Sequence, residues 1–504
     1  MEFSLGGILF WALTGGALFL IRPGSSLHKK PVAALSRKQI LALACLVLAL
    51  IVLTAFLMTL SPIWNGMMPR HRNAYELMTE FMLQGHIDYI GETDPAFLEL
   101  ENPYDPEARM AAGADVPWDW SYYKGHFYMY FGVVPILLVF MPYRLLTGHA
   151  PATLHATRLF TGLFILGLAA FFLRLSRNRF RKMTLGQLAC LLTAFSLVST
   201  VYVSKFPALY QTAVSCGMFL EIWSLYFFSR AVWEERTEKS AIRLAFLGSV
   251  CGALTFGCRP PLALANLLVI PLLIHFLRGR RMTAGLAGRL LLAASPYIVT
   301  AAALMTYNYV RFENPFEFGQ TYQLTVVDQT KTPGLLDPGN LFRALAGNFN
   351  NLFAAPKADA AFPFLSVGTG AVTCCPLLLY AFSCLWKKTG AELRKQDLYT
   401  FSLTLAVSVL LISTVQVIGA QVIWERYKSD YLWLLSVGAF IAIGTITEAG
   451  EDARAASRKT CLAAFFCVLL TALVFLVPDD LSYTDYFPGA LAEICRTITF
   501  GLAG

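Results

Sequence analysis

Charge is scarce in this sequence. Only 14% of its 504 residues are charged, against 56% hydrophobic, and the mean hydropathy is +0.56. Soluble domains carry about 25% charged residues. The deficit excludes a soluble globular enzyme and a disordered chain. Meaningful cysteine spacing is also missing. The eleven cysteines are an odd number, sit almost entirely inside apolar segments and show no metal-ligand spacing. A small disulfide scaffold is excluded, and the cysteines read as small buried apolar residues. The first apolar run has no basic leader and its basic residues follow it, so it does not read as a cleaved signal. The net charge of +8 does not indicate nucleic acid, because the basic residues cluster in short loops between apolar runs. No cofactor motif or metal cluster is evident, although two or three loop carboxylates leave a divalent ion open.

What the chain has in abundance is long apolar runs. A helix needs about 20 mostly apolar residues to cross the hydrocarbon core. The runs at 3–21, 40–60, 153–173, 184–204, 208–229, 244–257, 261–277, 286–306, 366–385, 398–419, 430–447 and 460–477 meet or approach that length. A further stretch, 131–147, is shorter and carries Pro135, Pro142 and Arg144. Four loops are basic: 22–39, 174–183, the loop with Arg278, Arg280, Arg281 and Arg289, and the loop with Lys387, Lys388, Arg394 and Lys395. Positive charge marks the cytoplasmic side. Between the first two basic loops the number of crossings must be even, and 40–60 with 153–173 already supply two. The stretch 131–147 is therefore expected to dip into, or lie on, the outer face.

The expected fold is an all-α polytopic membrane protein with about 12 transmembrane helices (11–13). Two helices occupy 1–60. A large outer loop, 61–152, precedes a transmembrane core at 153–306. A second outer loop spans 307–365, further helices span 366–477, and 478–504 is an outer tail. The first outer loop holds eleven acids against five basic residues. Long loops in compact proteins are usually functional.

Within that loop, NAYELMTEFMLQ (73–84) places Tyr75, Leu77, Met78, Phe81 and Met82 on one helical side and Glu76, Glu80 and Gln84 on the other. Asn73 is a candidate cap, Gly85 a stop. The pattern fits a short helix on the membrane surface or an ordinary packed helix. Asn102-Pro103 and Asp105-Pro106 are turn signals. Aromatic residues on both sides of Lys124-Gly125 suggest a hairpin. Its aromatics, Trp120, Tyr122, Tyr123, Tyr128 and Tyr130, suit stacking on sugar rings or a place in the headgroup layer. Asp119 lies between Trp118 and Trp120, where partial desolvation would raise a carboxylate toward a useful general base, a plain solvated loop carboxylate being the alternative.

Arginine should be rare on the outer side. Arg259 in GCRPP, Arg311 in YNYVRFENPFEFG, and Arg426 and Lys428 in WERYKSD are exceptions. With Lys124 they are candidates to line an outer cleft and hold a phosphate, the alternative being ion pairs with Glu425, Glu313 or Glu317. Asn308, in the same stretch as Arg311, is a candidate substrate ligand. Glu221, in the middle of a span, is an intramembrane carboxylate and favours a transporter unless it simply bonds a neighbouring helix.

The order of NAYELMTEFMLQGH, YYKGHFYMYFGVVPILLVFMPYRLLTG and a span ending in RLSRNRFRK resembles the C-type-fold membrane glycosyltransferases. The similarity is nearest the bacterial relatives of protein O-mannosyltransferases and aminoarabinose transferases, the family 39-like group. It covers about 60–320, with YNYVRFENPFEFG and ERYKSDY as looser echoes. The resemblance implies transfer of a sugar from a polyprenyl phosphate to an envelope glycan, lipid or protein at the outer face of the plasma membrane. It implies a first-loop carboxylate as base (Asp119, then Asp105, then Glu76) and basic residues on the lipid phosphate. Two departures stand out: MPRHRN, before the outer helix, has no acid, and MYFGVVP has no lysine before its proline. A transporter or flippase, which would show internal repeats, and a non-catalytic envelope assembly protein are the other readings.

Overall fold

The computed structural model describes residues 5–59, 74–205, 207, 209–234, 236–331, 338–354, 370–420 and 425–476. Asn73 and the tail 478–504 lie outside them. Among the described residues, eight helices are long and apolar enough to cross a membrane: Arg37–Thr59, Thr153–Asn178, Leu185–Lys205, Leu209–Trp233, Ala284–Phe312, Tyr399–Ile418, Arg426–Ala449 and Ala453–Ala472. This is the composition and length of an all-α membrane protein. The outward side of Ala284–Phe312 is apolar, with Leu291, Ile298 and Val299 exposed, a surface that water alone would not tolerate.

Four other expected spans are shorter or less apolar. Leu5–Leu20 is a single helix. Glu238–Thr255 begins earlier than its apolar run because Thr237 caps it and Glu238 lies in its first turn. Residues 262–277 divide into a 3₁₀ stretch, Leu262–Leu268, and an α-helix, Val269–Leu277. Pro376–Leu385 is also 3₁₀. A 3₁₀ helix rises about 2.0 Å per residue against 1.5 Å for an α-helix, so these pieces reach further than their residue count suggests.

Contacts sort the loops into two ends of the bundle. The four basic loops join at one of them. Leu185 N–H donates to the Lys30 carbonyl and Val32 N–H to the Met183 carbonyl, both at 2.8 Å. Arg179 donates to the Gln396 carbonyl at 3.2 Å, and Arg278 pairs with Asp397 at 2.8 Å. The opposite end gathers residues 74–148, the turn 256–261, the end of Ala284–Phe312 and the turn Glu425–Lys428. The stretch 131–147 stays at this second end. Gly132 lies so close to the Gly257 and Cys258 carbonyls that a Cβ would sit 2.3 Å from each, and Arg144 pairs with Glu80 at 2.5 Å.

Helix Ala74–Leu83 packs along that stretch, Tyr75 stacking on Phe140 at 5.2 Å. Its apolar side is thus turned onto protein: Tyr75, Met78 and Phe81 are buried. Gly85, at φ 86°, lies just past its end. The hairpin also forms. Strands β1 (Trp120–Tyr123) and β2 (His126–Met129) pair antiparallel. Lys124 and Gly125 both take positive φ, 48° and 88°, which a two-residue primed turn requires.

Candidate functional site

The second outer loop completes the first. Tyr122 N–H donates to the Tyr322 carbonyl and Leu324 N–H to the Trp120 carbonyl, each at 2.9 Å. Residues 322–324 therefore line the free edge of β1. Asp119, immediately before that strand, adopts φ 62°, a left-handed conformation that Asp tolerates better than most side chains. Its N–H donates to the Leu324 carbonyl at 3.0 Å. This docking buries Asp119 to 3% exposure. Its carboxylate accepts from Gln323 Nε2 at 2.9 Å and from the Tyr210 hydroxyl. Burial is the main reason its pKa is pushed up to about 6, with Arg426, Thr325, Gln323 and Trp118 pulling the other way.

Asp119 opens onto a cavity of about 530 Å³ whose walls include Arg259, Arg311 and Arg426, with Tyr130, Tyr210, Tyr307 and Tyr427. That volume lies in the range of ligand sites. The three arginines differ in their surroundings. Arg259 pairs with the fully buried Asp430 at 2.6 Å, which also accepts from Gln416. Arg311 is 5% exposed. It donates to the Met129 carbonyl at 3.1 Å and to Asn308 Oδ1 at 2.8 Å. Tyr307 lies 3.9 Å beneath its guanidinium. Its Nε is buried with no hydrogen-bond partner, and no carboxylate pairs with it among the described residues. The expected partners are occupied elsewhere: Glu313 with Lys124 at 2.6 Å, Glu317 with Gly319 N–H and Thr321. Arg426 stands 3.9 Å over the Tyr210 ring.

Other expected residues fall elsewhere. Lys124 is exposed in its ion pair with Glu313, outside the cavity wall. Asp105 caps helix Pro106–Ala111, accepting from Glu107 N–H at 2.9 Å. Glu76 accepts from Thr153 N–H at 3.1 Å at the start of Thr153–Asn178. Both carboxylates satisfy helix-end donors. Asp105→Ala should therefore lower stability by about 1 kcal/mol and leave the chemistry of the cavity intact, which thermal unfolding beside an activity assay would read. Of the hairpin aromatics, Tyr130 lines the cavity. Trp120 packs on Tyr89 at 5.5 Å, Tyr122 on Phe97 at 4.9 Å, Tyr123 on Tyr322 at 4.7 Å and Tyr128 on Phe312 at 5.4 Å. Trp120 and Tyr122 pack into the core on one face of the hairpin, and Tyr123 and Tyr128 pack on Phe312 and Tyr322 on the other. Asn308 lines the cavity and orients Arg311. It stands with Arg311 on the helix itself, which runs to Phe312 instead of ending near 306. Lys428 is buried, 5.4 Å from the Tyr202 ring.

Glu221 accepts from Asn266 Nδ2 at 2.6 Å, and Asn266 also binds Tyr297 and the Gly252 carbonyl. That cluster ties four helical segments together. Cys216 and Cys258 are apposed, with sulfurs 3.4 Å apart. Among the described residues, no three His, Cys, Asp or Glu side chains converge as a metal site.

Sequence reasoning missed Tyr210, Gln323, Thr325, Tyr307 and Tyr427. Gln323 and Thr325 reach the site only through the docking of one loop on another, which has no local pattern. Fold and site together define an all-α protein of long apolar helices with a cationic, tyrosine-lined cavity at one end. No protein-family model, no curated protein and no solved structure matches the chain.

Proposed function

We propose that the protein is a membrane glycosyltransferase that moves a sugar from a polyprenyl-phosphate donor to an envelope acceptor. The observation that carries this reading is a cavity whose wall holds a buried, weakly acidic Asp119 together with three arginines. In the reaction, an acceptor hydroxyl oxygen attacks the anomeric carbon. A new C–O bond forms and the bond from that carbon to the phosphate oxygen breaks, its electron pair leaving with the phosphate. Asp119 takes the hydroxyl proton. Arg311 and Arg426 hold the departing phosphate. Arg259 is neutralised by Asp430 and shapes the wall. The charge count supports a phosphodiester. Among the described residues of its lining, Asp119 is the carboxylate and Arg259, Arg311 and Arg426 are the cations, with Asp430 paired to Arg259 behind the wall, a balance that suits one negative phosphodiester.

Topology supports the same assignment. The basic loops meet at one end, as a cytoplasmic face requires, so the cavity belongs to the extracytoplasmic side of the plasma membrane. Helices such as Leu209–Trp233 and Ala284–Phe312 run from one end to the other. The two-piece segment 262–277 does so too, spanning about 28 Å by its rise. The reading has twelve crossings, with 131–147 as a re-entrant helix. A transporter is less well supported, because Glu221 is engaged by Asn266.

The test is transfer in native membranes from a panel of radiolabelled polyprenyl-phosphate sugars. Label should enter a larger product in the wild type, and equally in Asp105→Asn and Glu76→Gln. Absence of transfer from every donor would count against the reading, as would loss of transfer on replacing either capping carboxylate while the protein stays folded.

A further inference from the structure

Tyr210 holds the two halves of the cavity together. It lies in the first turn of Leu209–Trp233, and its side chain meets three groups from two other parts of the chain. The hydroxyl donates to Asp119 Oδ2 from the first outer loop. One face carries the Arg426 guanidinium, 3.9 Å from the centroid. Phe131 packs against it edge-on at 5.3 Å and 76°. A ring fixed by an edge contact, a cation and a hydrogen bond has little freedom left. The carboxylate and the guanidinium therefore keep one separation, set by the width of a tyrosine.

We propose that Tyr210 is a positioning residue that fixes the Asp119 carboxylate through its hydroxyl and the Arg426 guanidinium through its ring. This rests on the glycosyltransferase reading and adds a division of labour within one side chain. The hydroxyl acts on the base and the ring on the phosphate ligand. The charged and titratable groups around Asp119 are Arg426, Tyr210 and Tyr130, with Arg259 and Arg311 on the same cavity wall. Removing the hydroxyl withdraws a donor to the charged carboxylate, so the carboxyl holds its proton to higher pH.

The experiment compares Tyr210→Phe and Tyr210→Leu with the wild type. Tyr210→Phe should move the midpoint of the kcat/KM–pH profile upward by about one unit and leave the donor KM within about twofold. Tyr210→Leu should in addition raise the donor KM by about fivefold, because the cation loses its platform. In an Asp119→Asn background, Tyr210→Phe should cause no further loss. An unmoved midpoint, or a full additional loss in that background, would overturn the proposal. A second readout needs no transfer at all. The contribution of Asp119 to thermal stability, read as each protein against its Asp119→Asn counterpart, should in the wild type fall as pH rises to about 6 and then level off. In Tyr210→Phe the fall should continue about one unit further. Identical curves would overturn the role of Tyr210, whereas absence of transfer from any donor would count against the enzyme reading alone.

Discussion

Asp119→Asn is expected to lower the transfer rate by about 10²–10⁴-fold, the range contributed by a positioned general base, while the protein remains folded. The stability change runs the opposite way. The folded-state pKa of about 6 lies above the ordinary value of 3.8 because burial disfavours the charged carboxylate. The folded protein therefore binds more protons than the unfolded chain between these values. The resulting penalty is absent below about pH 4, grows as pH rises, and is complete above about pH 6 at about 3 kcal/mol. Asparagine keeps an acceptor for Gln323 and carries no charge. The unfolding temperature of Asp119→Asn should match or exceed that of the wild type above pH 6, with the advantage vanishing near pH 4. A variant that is inactive and less stable at pH 7.5 would mean that the carboxylate holds the two outer loops together rather than serving as base.

Arg259→Met is expected to be the most destabilising single change at the cavity, by about 3–5 kcal/mol. It leaves Asp430, at 0% exposure, without its cation and with only Gln416 donating to the carboxylate among the contacts described here. Asp430→Asn should also destabilise, since it strands a guanidinium that is 16% exposed. The double variant Arg259→Met/Asp430→Asn should recover most of the loss, because the remaining amide still accepts from Gln416. Unfolding midpoints of the four proteins form a double-mutant cycle. Additive single losses would refute the coupling.

Much of this was legible before the structure. Apolar runs located the long helices, because lipid-length segments need little context. Aromatic runs on both sides of the Gly125 turn located the hairpin, because such residues favour strands and glycine accepts the turn's positive φ. Asp119, Arg259, Arg311 and Arg426 stood out by their chemistry, as polar groups among apolar or aromatic neighbours. What stayed hidden depended on partners far along the chain. Arg259 and Asp430 are 171 positions apart, and Asp119 and Gln323 are 204 apart. Glu76 and Asp105 looked like bases because a capping carboxylate and a catalytic one have the same side chain. Only the backbone donors they face distinguish them. The hairpin aromatics suited sugar stacking or the headgroup layer, because alternation along a strand does not reveal that a second loop pairs with it.

The central claim is that Asp119 is the base of a sugar transfer whose leaving phosphate is held across the same cavity. The most direct measurement is the transfer rate from an accepted donor between about pH 4.5 and 8. The account predicts that kcat/KM rises about tenfold per pH unit and levels off with a midpoint near 6, and that Asp119→Asn retains only a flat residual rate. A wild-type rate independent of pH over that range, or an Asp119→Asn profile with the same midpoint, would contradict it.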